Sequence, residues 1–354
     1  MRKTISSLKS APLATVIDAL EQMASVNEVL GERFKVKSYR TAVASLRSLE
    51  TDRLRAKQPL SVDLSEIANL AGVGAKIQKK VEEIISTGKL QELEKLKQQP
   101  IISAIGNLTK VHGIGPQKAK QLFEEHKIST VKDLRASSVE LTDAQAAGLE
   151  FFDDIQLQIP QSEVKDHEKH LQNAVRLCLG PQYVTTVCGS FRRGKPTSGD
   201  VDALLAVDPQ TQKAGRKSSD KDETAIQTLT THLSSEAYWL RTLATGSTKC
   251  MGICRLESSK PARRVDIRLV TSEAYPFALL YFTGSKAFNV RMRQQAAEKG
   301  LTLNEYGLFR VPPSAPSKKN EPPNNKHRVL GLVNEKDIFD AVGMAYLLPH
   351  ERSE

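Results

Sequence analysis

The sequence predicts an α+β protein of several domains, with an all-helical N-terminal half followed by an α/β C-terminal half. Its 354 residues exceed the length at which a single hydrophobic core usually stops growing, so two or three domains are expected. Apolar residues recur at steps of three and four along residues 14–48 and 64–97, a spacing typical of helices that bury one face. After about residue 183 the pattern changes to short apolar runs, which are typical of strands.

The first helical stretch has a single apolar face. The positions expected to lie on it are Val16, Leu20, Met23, Phe34, Val36, Tyr39, Ala42, Val43 and Leu46. In the second stretch Gly88 is expected to end a helix, since glycine is the preferred residue just past a helix C-terminus.

Three strands are predicted in the C-terminal half, at residues 183–188, 201–207 and 263–270. Two segments break this pattern. Residues 208–224 are polar and residues 311–329 are rich in proline, so both are expected to be surface loops without regular structure.

Composition narrows the class of protein. The chain has 51 Lys+Arg against 41 Asp+Glu, a formal net charge of +10 that favours a polyanionic partner. No apolar run approaches the roughly 20 residues that a membrane helix needs, so we expect no membrane association. The four cysteines form no CxxC pair, which favours a reducing compartment, and Cys250 and Cys254 are expected to be core thiols rather than zinc ligands.

A weak internal repeat occurs at an offset of 41 residues. Leu70-Ala-Gly-Val-Gly74 aligns with Val111-His-Gly-Ile-Gly115, and helical sequence flanks both copies. Gly72, Gly74, Gly113 and Gly115 permit a tight turn that brings backbone N–H groups close to a phosphate. The repeat resembles the helix-hairpin-helix motif of DNA repair proteins. That resemblance implies a monovalent cation, Na⁺ or K⁺, held by carbonyls of Leu70, Val73, Thr109, Val111 and Ile114.

Three carboxylates are expected to meet on neighbouring strands. Because side chains alternate along a strand, Asp200 and Asp202 point to one face while Val201 enters the core. In the later strand Arg264, Asp266 and Arg268 share a face, which supplies a third carboxylate. Three carboxylates suit two Mg²⁺ ions about 4 Å apart, for which Mn²⁺ can substitute.

The stretch GSFRRG at 189–194, followed by SGDVD at 198–202, carries the most specific signal. A Gly-Ser turn followed by D-x-D is the signature of the nucleotidyltransferase superfamily. Together with RRVDIRLV, YFTGS, NEY and EKDIFD, it resembles DNA polymerase family X from about Phe34 to the C-terminus. The resemblance implies an N-terminal extension at residues 1–15, a helical lyase domain at 16–98 and a DNA-binding subdomain at 99–158. It also implies a catalytic palm with a mixed sheet at 159–271 and a small α/β nucleotide-selection subdomain at 272–354.

The resemblance also implies roles for residues of the palm and beyond. Asp200 and Asp202 would bind both metal ions and Asp266 the catalytic one, for attack of a primer 3′-hydroxyl on a dNTP. Residues implied in dNTP binding are Ser190, Arg193, Gly199, Tyr281, Phe282, Gly284 and Asn289. Residues implied in DNA binding are Arg264, which would also tune Asp266, Arg293, Tyr306 and the glycines of the two hairpins.

In the N-terminal part the resemblance implies a 5′-deoxyribose phosphate lyase. Lys80 would form a Schiff base with the C1′ aldehyde, and the residues implied around the 5′ end are Lys35, Tyr39, Lys76 and Lys79. Lysine serves this chemistry because burial and nearby cations lower its pKa.

The chain departs from the family pattern at several positions. Phe34, Ala68 and Glu92 replace basic residues of the 5′-phosphate pocket, and Lys79 stands at an acidic position. Gln158 replaces an arginine near the triphosphate, and Lys286 replaces an acid that packs on the incoming base. We expect altered nucleotide affinity or fidelity with intact metal chemistry, and a lyase pocket of changed charge.

The sequence therefore predicts a monomeric gap-filling DNA polymerase of base excision repair, with gapped or nicked duplex DNA, dNTPs and other repair proteins as partners. The alternatives are a translesion or end-joining family X polymerase with weak or no lyase activity, disfavoured by the lack of room for an N-terminal BRCT domain, and a non-catalytic DNA-end-binding protein. The nucleus is the favoured location. The basic, serine-containing N-terminus leaves the mitochondrion as the alternative.

Overall fold

The computed structural model describes residues 10–56, 58–207, 220–311 and 327–353. The chain forms two compact units, Met1–Glu140 and Leu141–Glu354, and their division falls inside the expected 99–158 subdomain. Each unit buries its own apolar clusters. Across the described ranges, every helix is too short or too polar to cross a membrane.

The first unit is helical. Its helices are α1 (Leu13–Val29), α2 (Arg33–Ala56), α3 (Leu64–Ala68), α4 (Ala75–Thr87), α5 (Gln91–Lys97), α6 (Pro100–Leu108), α7 (Pro116–His126) and α8 (Val131–Ala136). Two short strands, β1 (Ala11–Pro12) and β2 (Ser61–Val62), pair antiparallel. As expected, Gly88 ends α4 in a left-handed conformation.

The core of the first unit confirms most of the predicted apolar face. The residues of that face that are buried are Val16, Leu20, Met23, Val36, Tyr39, Ala42, Val43 and Leu46. The prediction for Phe34 is wrong, since its side chain is 90% exposed. Phe34 lies two residues before Val36, and residues two apart on a helix point in opposite directions.

The boundary expected after residue 15, between an N-terminal extension and the helical domain, lies too late in the chain. Residues 1–9 lie outside the described residues. Ala11, however, pairs with Val62 and Leu13 is fully buried in the first core. The helical unit therefore begins before residue 16.

The second unit combines a sheet with helices. Its strands are β3 (Ile159–Pro160), β4 (Tyr183–Val187), β5 (Thr197–Ser198), β6 (Val201–Val207), β7 (Trp239–Thr245), β8 (Lys249–Cys254), β9 (Arg263–Val270), β10 (Leu301–Asn304) and β11 (Gly307–Arg310). Its helices are α9 (Asp143–Glu150), α10 (Phe152–Ile155), α11 (Gln161–Cys178), α12 (Gly189–Arg192), α13 (Asp220–Ser235), α14 (Tyr275–Thr283), α15 (Lys286–Glu298) and α16 (Glu335–Val342), before a 3₁₀ turn at Pro349–Arg352.

A five-stranded mixed sheet organises this unit, in the order β4-β6-β9-β8-β7. Strands β6 and β9 are parallel, and the other neighbours are antiparallel. The three predicted strands are confirmed as β4, β6 and β9, whereas β7 and β8 were not predicted. One face of the sheet packs on α11 and α13 through Val201, Ala203 and Leu205. The opposite face carries the acidic side chains.

The two predicted loops are only partly described. Residues 208–219 and 312–326 lie outside the described residues. The loop prediction for 220–224 is wrong, because α13 begins at Asp220. At the end of the proline-rich segment Arg328 forms an antiparallel bridge with Phe309. Cys250 and Cys254 are buried free thiols, as predicted.

Candidate active site

Three carboxylates meet on the open face of the mixed sheet. Asp202 on β6 lies directly opposite Asp266 on β9 in the parallel register, and Asp200 immediately precedes β6. One oxygen from each of Asp200, Asp202 and Asp266 lies within 4.8 Å of the other two. The side-chain alternation predicted from the sequence is confirmed, because Val201 and Val265 are fully buried behind the acids.

The electrostatics of this cluster favour a bound cation. Burial, followed by repulsion from Asp200 and Asp266, raises the pKa of Asp202 to about 7. Burial also raises the pKa of Asp266. Among the described residues Asp266 Oδ1 is buried without a hydrogen-bond partner. An all-oxygen donor set with one buried, unsatisfied oxygen fits a hard divalent ion such as Mg²⁺ or Mn²⁺.

Arg264 lies beside the cluster and is closer to Asp200 than to Asp266, which the sequence did not predict. Its Nη2 donates to Asp200 Oδ2 at 2.7 Å and lies 3.6 Å from Asp266 Oδ2. The guanidinium opposes the rise in the pKa of Asp266 that burial causes, but its direct hydrogen bond is with Asp200. Arg264 therefore partly neutralises the cluster from one side.

The Gly-Ser turn brings backbone close to the acids. Gly189 begins α12 with φ +58°, and a Cβ there would lie 2.9 Å from Asp202 Oδ2, so only glycine fits. Ser190 Oγ donates to Ser198 Oγ at 2.8 Å, so it is bonded to the residue immediately before Gly199. Arg193 Nη1 donates to the carbonyl of Thr283, at the end of α14.

The YFTGS segment ends α14 within the same unit. Phe282 lies under the Arg268 guanidinium at 4.9 Å, and the Arg293 guanidinium lies 5.0 Å from the Tyr281 ring. Asn289 Nδ2 donates to Tyr281 O at 2.7 Å. These contacts bring together four of the residues that the sequence linked to the nucleotide and its base pair.

The sequence prediction missed two side chains at the site. Lys249 and Arg268 are opposite each other on β8 and β9, and both line a cavity with Asp202, Asp266 and Phe282. Arg268 was expected on the same face as Asp266, but no role was assigned to it. Lys249 lies on β8, a strand that the sequence pattern did not predict.

Three further residues singled out from the sequence are Gly284, Tyr306 and Gln158. Gly284 has φ +65° and follows α14, with a cis peptide bond to Ser285. Tyr306 is 55% exposed at the β10–β11 turn. Gln158 Oε1 accepts from Thr197 Oγ1 at 3.2 Å.

The first unit contains the two hairpins as near-identical turns. Gly72 and Gly113 have φ +79° and +81°, and Gly74 and Gly115 cap α4 and α7. The turns close with matching hydrogen bonds, from Val73 N to Leu70 O and from Ile114 N to Val111 O. Thr109 ends α6 just before the second turn. The weak sequence repeat is thus a repeat of structure.

Comparisons with known proteins agree with this geometry. Family models match four segments: helix-hairpin-helix domain at 11–90, fingers domain of DNA polymerase lambda at 106–156, DNA polymerase beta palm at 158–272, and DNA polymerase beta thumb at 278–353. A solved structure of Leishmania infantum polymerase beta, a ternary P/T complex, is 40% identical and has a TM-score of 0.67, covering 72% of this chain and 100% of its own. The chain belongs to DNA polymerase family X.

The chain is also similar to other proteins named polymerase beta or DNA polymerase lambda. A ternary gap complex of L. infantum polymerase beta is 36% identical with a TM-score of 0.66, covering 75% of this chain and 96% of that one. DNA polymerase lambda of Arabidopsis thaliana is 31% identical over 96% of this chain, and that of Rattus norvegicus is 31% identical over 95%. This chain spans only 61% and 56% of the length of those two curated relatives.

The lysine cluster of this family X chain lies in the first unit. Lys80 on α4 is 18% exposed, and its pKa is lowered by burial and by Lys35, against an opposing effect of Glu83. Lys76 and Lys79 are exposed on α4, and Lys35 is exposed on α2. Tyr39 belongs to the apolar core, where burial raises its pKa.

Three residues at which we expect the chain to depart from the family pattern have the following surroundings. Glu92 on α5 forms an ion pair with Lys80. Ala68 is exposed at the end of α3, and its carbonyl accepts from Gln78 Nε2 at 3.4 Å.

In the second unit Lys286 is the first residue of α15, where its positive charge opposes the helix dipole.

Proposed function

We propose that this chain is a DNA-directed DNA polymerase that fills short gaps in base excision repair. The observation that carries the proposal is the meeting of Asp200, Asp202 and Asp266 beside the glycine turn at Gly189. Membership of family X and the likeness to a polymerase beta described as a ternary gap complex support the same substrate, gapped duplex DNA.

The three carboxylates would hold two divalent ions, Mg²⁺ or Mn²⁺. Bound there, the ions supply activation of an attacking oxygen and neutralisation of phosphate charge. The protein positions the reactants around them. Arg193 and Ser190 are proposed to bind the triphosphate, since a guanidinium and a turn of backbone N–H groups are suited to phosphate oxygens.

The segment at the end of α14 is proposed to select the nucleotide. Tyr281 and Phe282 would face the sugar, where crowding disfavours a ribose 2′-hydroxyl. Asn289 and Arg293 would contact the base pair from the minor groove, whose degenerate pattern suits a check of shape. Because Asn289 and Arg293 both contact Tyr281, the residues proposed to select the sugar and those proposed to check the base pair form one connected group.

The polymerase proposal is tested by Asp266→Ala in single-nucleotide gap filling with Mg²⁺. We expect a loss of at least about 10³-fold, since each metal-ion effect contributes several kcal/mol to the transition state. Mg²⁺ binding measured by calorimetry should weaken in parallel. Glu257→Ala, which removes an exposed carboxylate of the same unit, is the matched control and should leave both unchanged. Full activity of Asp266→Ala would contradict the metal assignment.

We also propose 5′-deoxyribose phosphate lyase activity through Lys80. Its low exposure and lowered pKa support a role as an amine nucleophile. Borohydride should trap the wild-type protein on a gapped duplex with a 5′-deoxyribose phosphate. Lys80→Ala should abolish trapping, while Lys97→Ala, which removes an exposed lysine of α5 with no assigned role, should retain it. Trapping that survives Lys80→Ala would exclude this nucleophile.

The alternative is a translesion or end-joining family X polymerase with weak lyase activity. It is favoured by the curated relatives named DNA polymerase lambda. Efficient joining of mismatched ends without lyase activity would support it. A non-catalytic DNA-end-binding protein is disfavoured by the complete carboxylate cluster.

The hairpins are proposed to bind the DNA backbone with a Na⁺ or K⁺ ion at each turn. The matching glycine conformations and turn hydrogen bonds support this. DNA affinity that is unchanged between Na⁺, K⁺ and a bulky organic cation would contradict it.

Other repair proteins are proposed as partners. We further propose a monomeric protein in the nucleus, because the proposed substrate is DNA. The mitochondrion is the alternative, because the N-terminus is basic and contains serines. Imaging of the full chain fused at its C-terminus distinguishes the two locations.

A further inference from the structure

We propose that Glu92 is a second catalytic group of the lyase site, a carboxylate that accepts the C2′ proton of the sugar once Lys80 has formed its Schiff base. The inference rests on the lyase activity proposed above and names the base that the elimination step requires. A lysine at this position could not serve in that way at neutral pH, because an ammonium group is a proton donor.

The contact between the two side chains places the carboxylate at the reacting atom. Lys80 lies on α4 and Glu92 on α5, on either side of the turn at Gly88. Lys80 Nζ is in direct hydrogen-bond contact with Glu92 Oε2. Lys80 is 18% exposed and Glu92 is 48% exposed, so the carboxylate lies on the solvent side of the amine, where a DNA end would enter.

The other charged groups near Lys80 do not offer an equivalent base. Glu83 on α4 acts on Lys80, but its Oε1 accepts from the backbone N–H of Gln91 at 2.6 Å and so holds the start of α5. Lys35 on α2 and Lys79 on α4 are cations. In the part of the chain that the structure describes, Glu92 is thus the carboxylate paired with this amine.

The chemistry requires a base within reach of C2′. The Lys80 ammonium first loses a proton to solvent, and the neutral amine attacks the C1′ aldehyde. The resulting carbinolamine takes up one proton and loses water, which gives a protonated imine. C2′ is then two bonds from Nζ, so a carboxylate that contacted Nζ before the reaction lies next to the C2′ hydrogen.

Glu92 takes that proton. The C2′–H electron pair becomes the C2′=C3′ double bond, and the C3′–O bond breaks with its electron pair leaving on the 5′-phosphate of the DNA. Water then hydrolyses the imine, which releases the unsaturated aldehyde and regenerates the Lys80 amine, while Glu92 returns its proton to solvent.

The ion pair between Lys80 and Glu92 should affect Schiff-base formation and elimination in opposite ways. Burial lowers the pKa of Lys80, and a contacting carboxylate such as Glu92 opposes this by favouring the ammonium form, which is not a nucleophile. Removing its charge should therefore leave Schiff-base formation as fast or faster while slowing elimination. A residue that merely supported the fold would change the two steps together.

The experiment compares wild type with Glu92→Gln and Glu92→Asp on a gapped duplex bearing a 5′-deoxyribose phosphate. Single-turnover assays follow the borohydride-trapped adduct and the released product separately. For Glu92→Gln we expect trapping at no less than the wild-type rate and elimination at least about 10-fold slower, since general bases typically contribute about 10²–10⁴-fold. Glu92→Asp keeps the base and should eliminate faster than Glu92→Gln.

The matched control is Glu94→Gln on the same helix. Its carboxylate is 3.1 Å from Lys97 Nζ, and both of its steps should match wild type. Elimination by Glu92→Gln at the wild-type rate, or an equal loss of trapping and elimination, would overturn the role of Glu92. Absence of trapping in the wild type itself would instead show that the lyase proposal fails.

Discussion

Replacing Glu335 by Gln should destabilise the second unit by about 3–5 kcal/mol, the cost typical of breaking a buried ion pair. Arg192 donates to both carboxylate oxygens of Glu335, at 3.0 and 2.8 Å, and Arg352 donates to one at 2.7 Å. Glu335 is 6% exposed and Arg352 is fully buried. The substitution preserves shape but leaves both guanidinium groups without their counter-charge.

The pH dependence of this loss has a definite sign. Burial raises the pKa of Glu335, but hydrogen bonds from Arg192 and Arg352 outweigh it and hold the pKa below the ordinary value of 4.5. A carboxylate with a lowered folded-state pKa stabilises the fold above its unfolded pKa, and this contribution is lost as pH falls through the folded value. The difference between wild type and variant should therefore be largest near neutral pH and shrink in acid.

Urea unfolding followed by tryptophan fluorescence measures the effect. The chain has one tryptophan, Trp239, which is buried in β7 and so reports on the second unit. The control is Asp340→Asn on the same helix, whose ion pair with Lys336 is exposed and should contribute little to stability because solvent screens it. A loss for Glu335→Gln no larger than that of the control would refute the reasoning.

Two other predictions address the hairpin and the carboxylate cluster. Gly72→Ala should cost about 1–3 kcal/mol more than Gly31→Ala in far-UV circular dichroism unfolding, because both glycines have positive φ but a Cβ at Gly72 would lie 2.4 Å from Thr41 Cγ2. Equal losses would contradict that clash, and Thr41→Ser should relieve it. Metal-free protein should lose stability as pH rises from about 4 to 7, because burial raises the pKa of Asp202 from 3.8 to about 7 and favours its neutral form. Asp202→Asn should flatten this dependence and Mg²⁺ should offset the loss, whereas a wild-type curve that does not slope with pH would contradict the prediction.

The sequence determined the features that depend on local rules. Alternation along a strand placed Asp200, Asp202 and Asp266 on one face, and paired glycines located both hairpin turns, because side-chain direction and positive φ are properties of a few consecutive residues. The prediction for Phe34 failed because Phe34 lies two residues before Val36, and the helix directs these two side chains to opposite sides.

Only the tertiary structure decided how distant residues pair. Strands β7 and β8 pair with each other and β8 pairs with β9, which no apolar run in the sequence indicated, and this pairing brings Lys249 to the site. The bond of Arg264 with Asp200 depends on the register of β9 against β6. The contact of Lys80 with Glu92 depends on how α5 folds back on α4. These pairings follow from packing between elements, so the sequence supplied the chemical groups and the fold decided which of them meet.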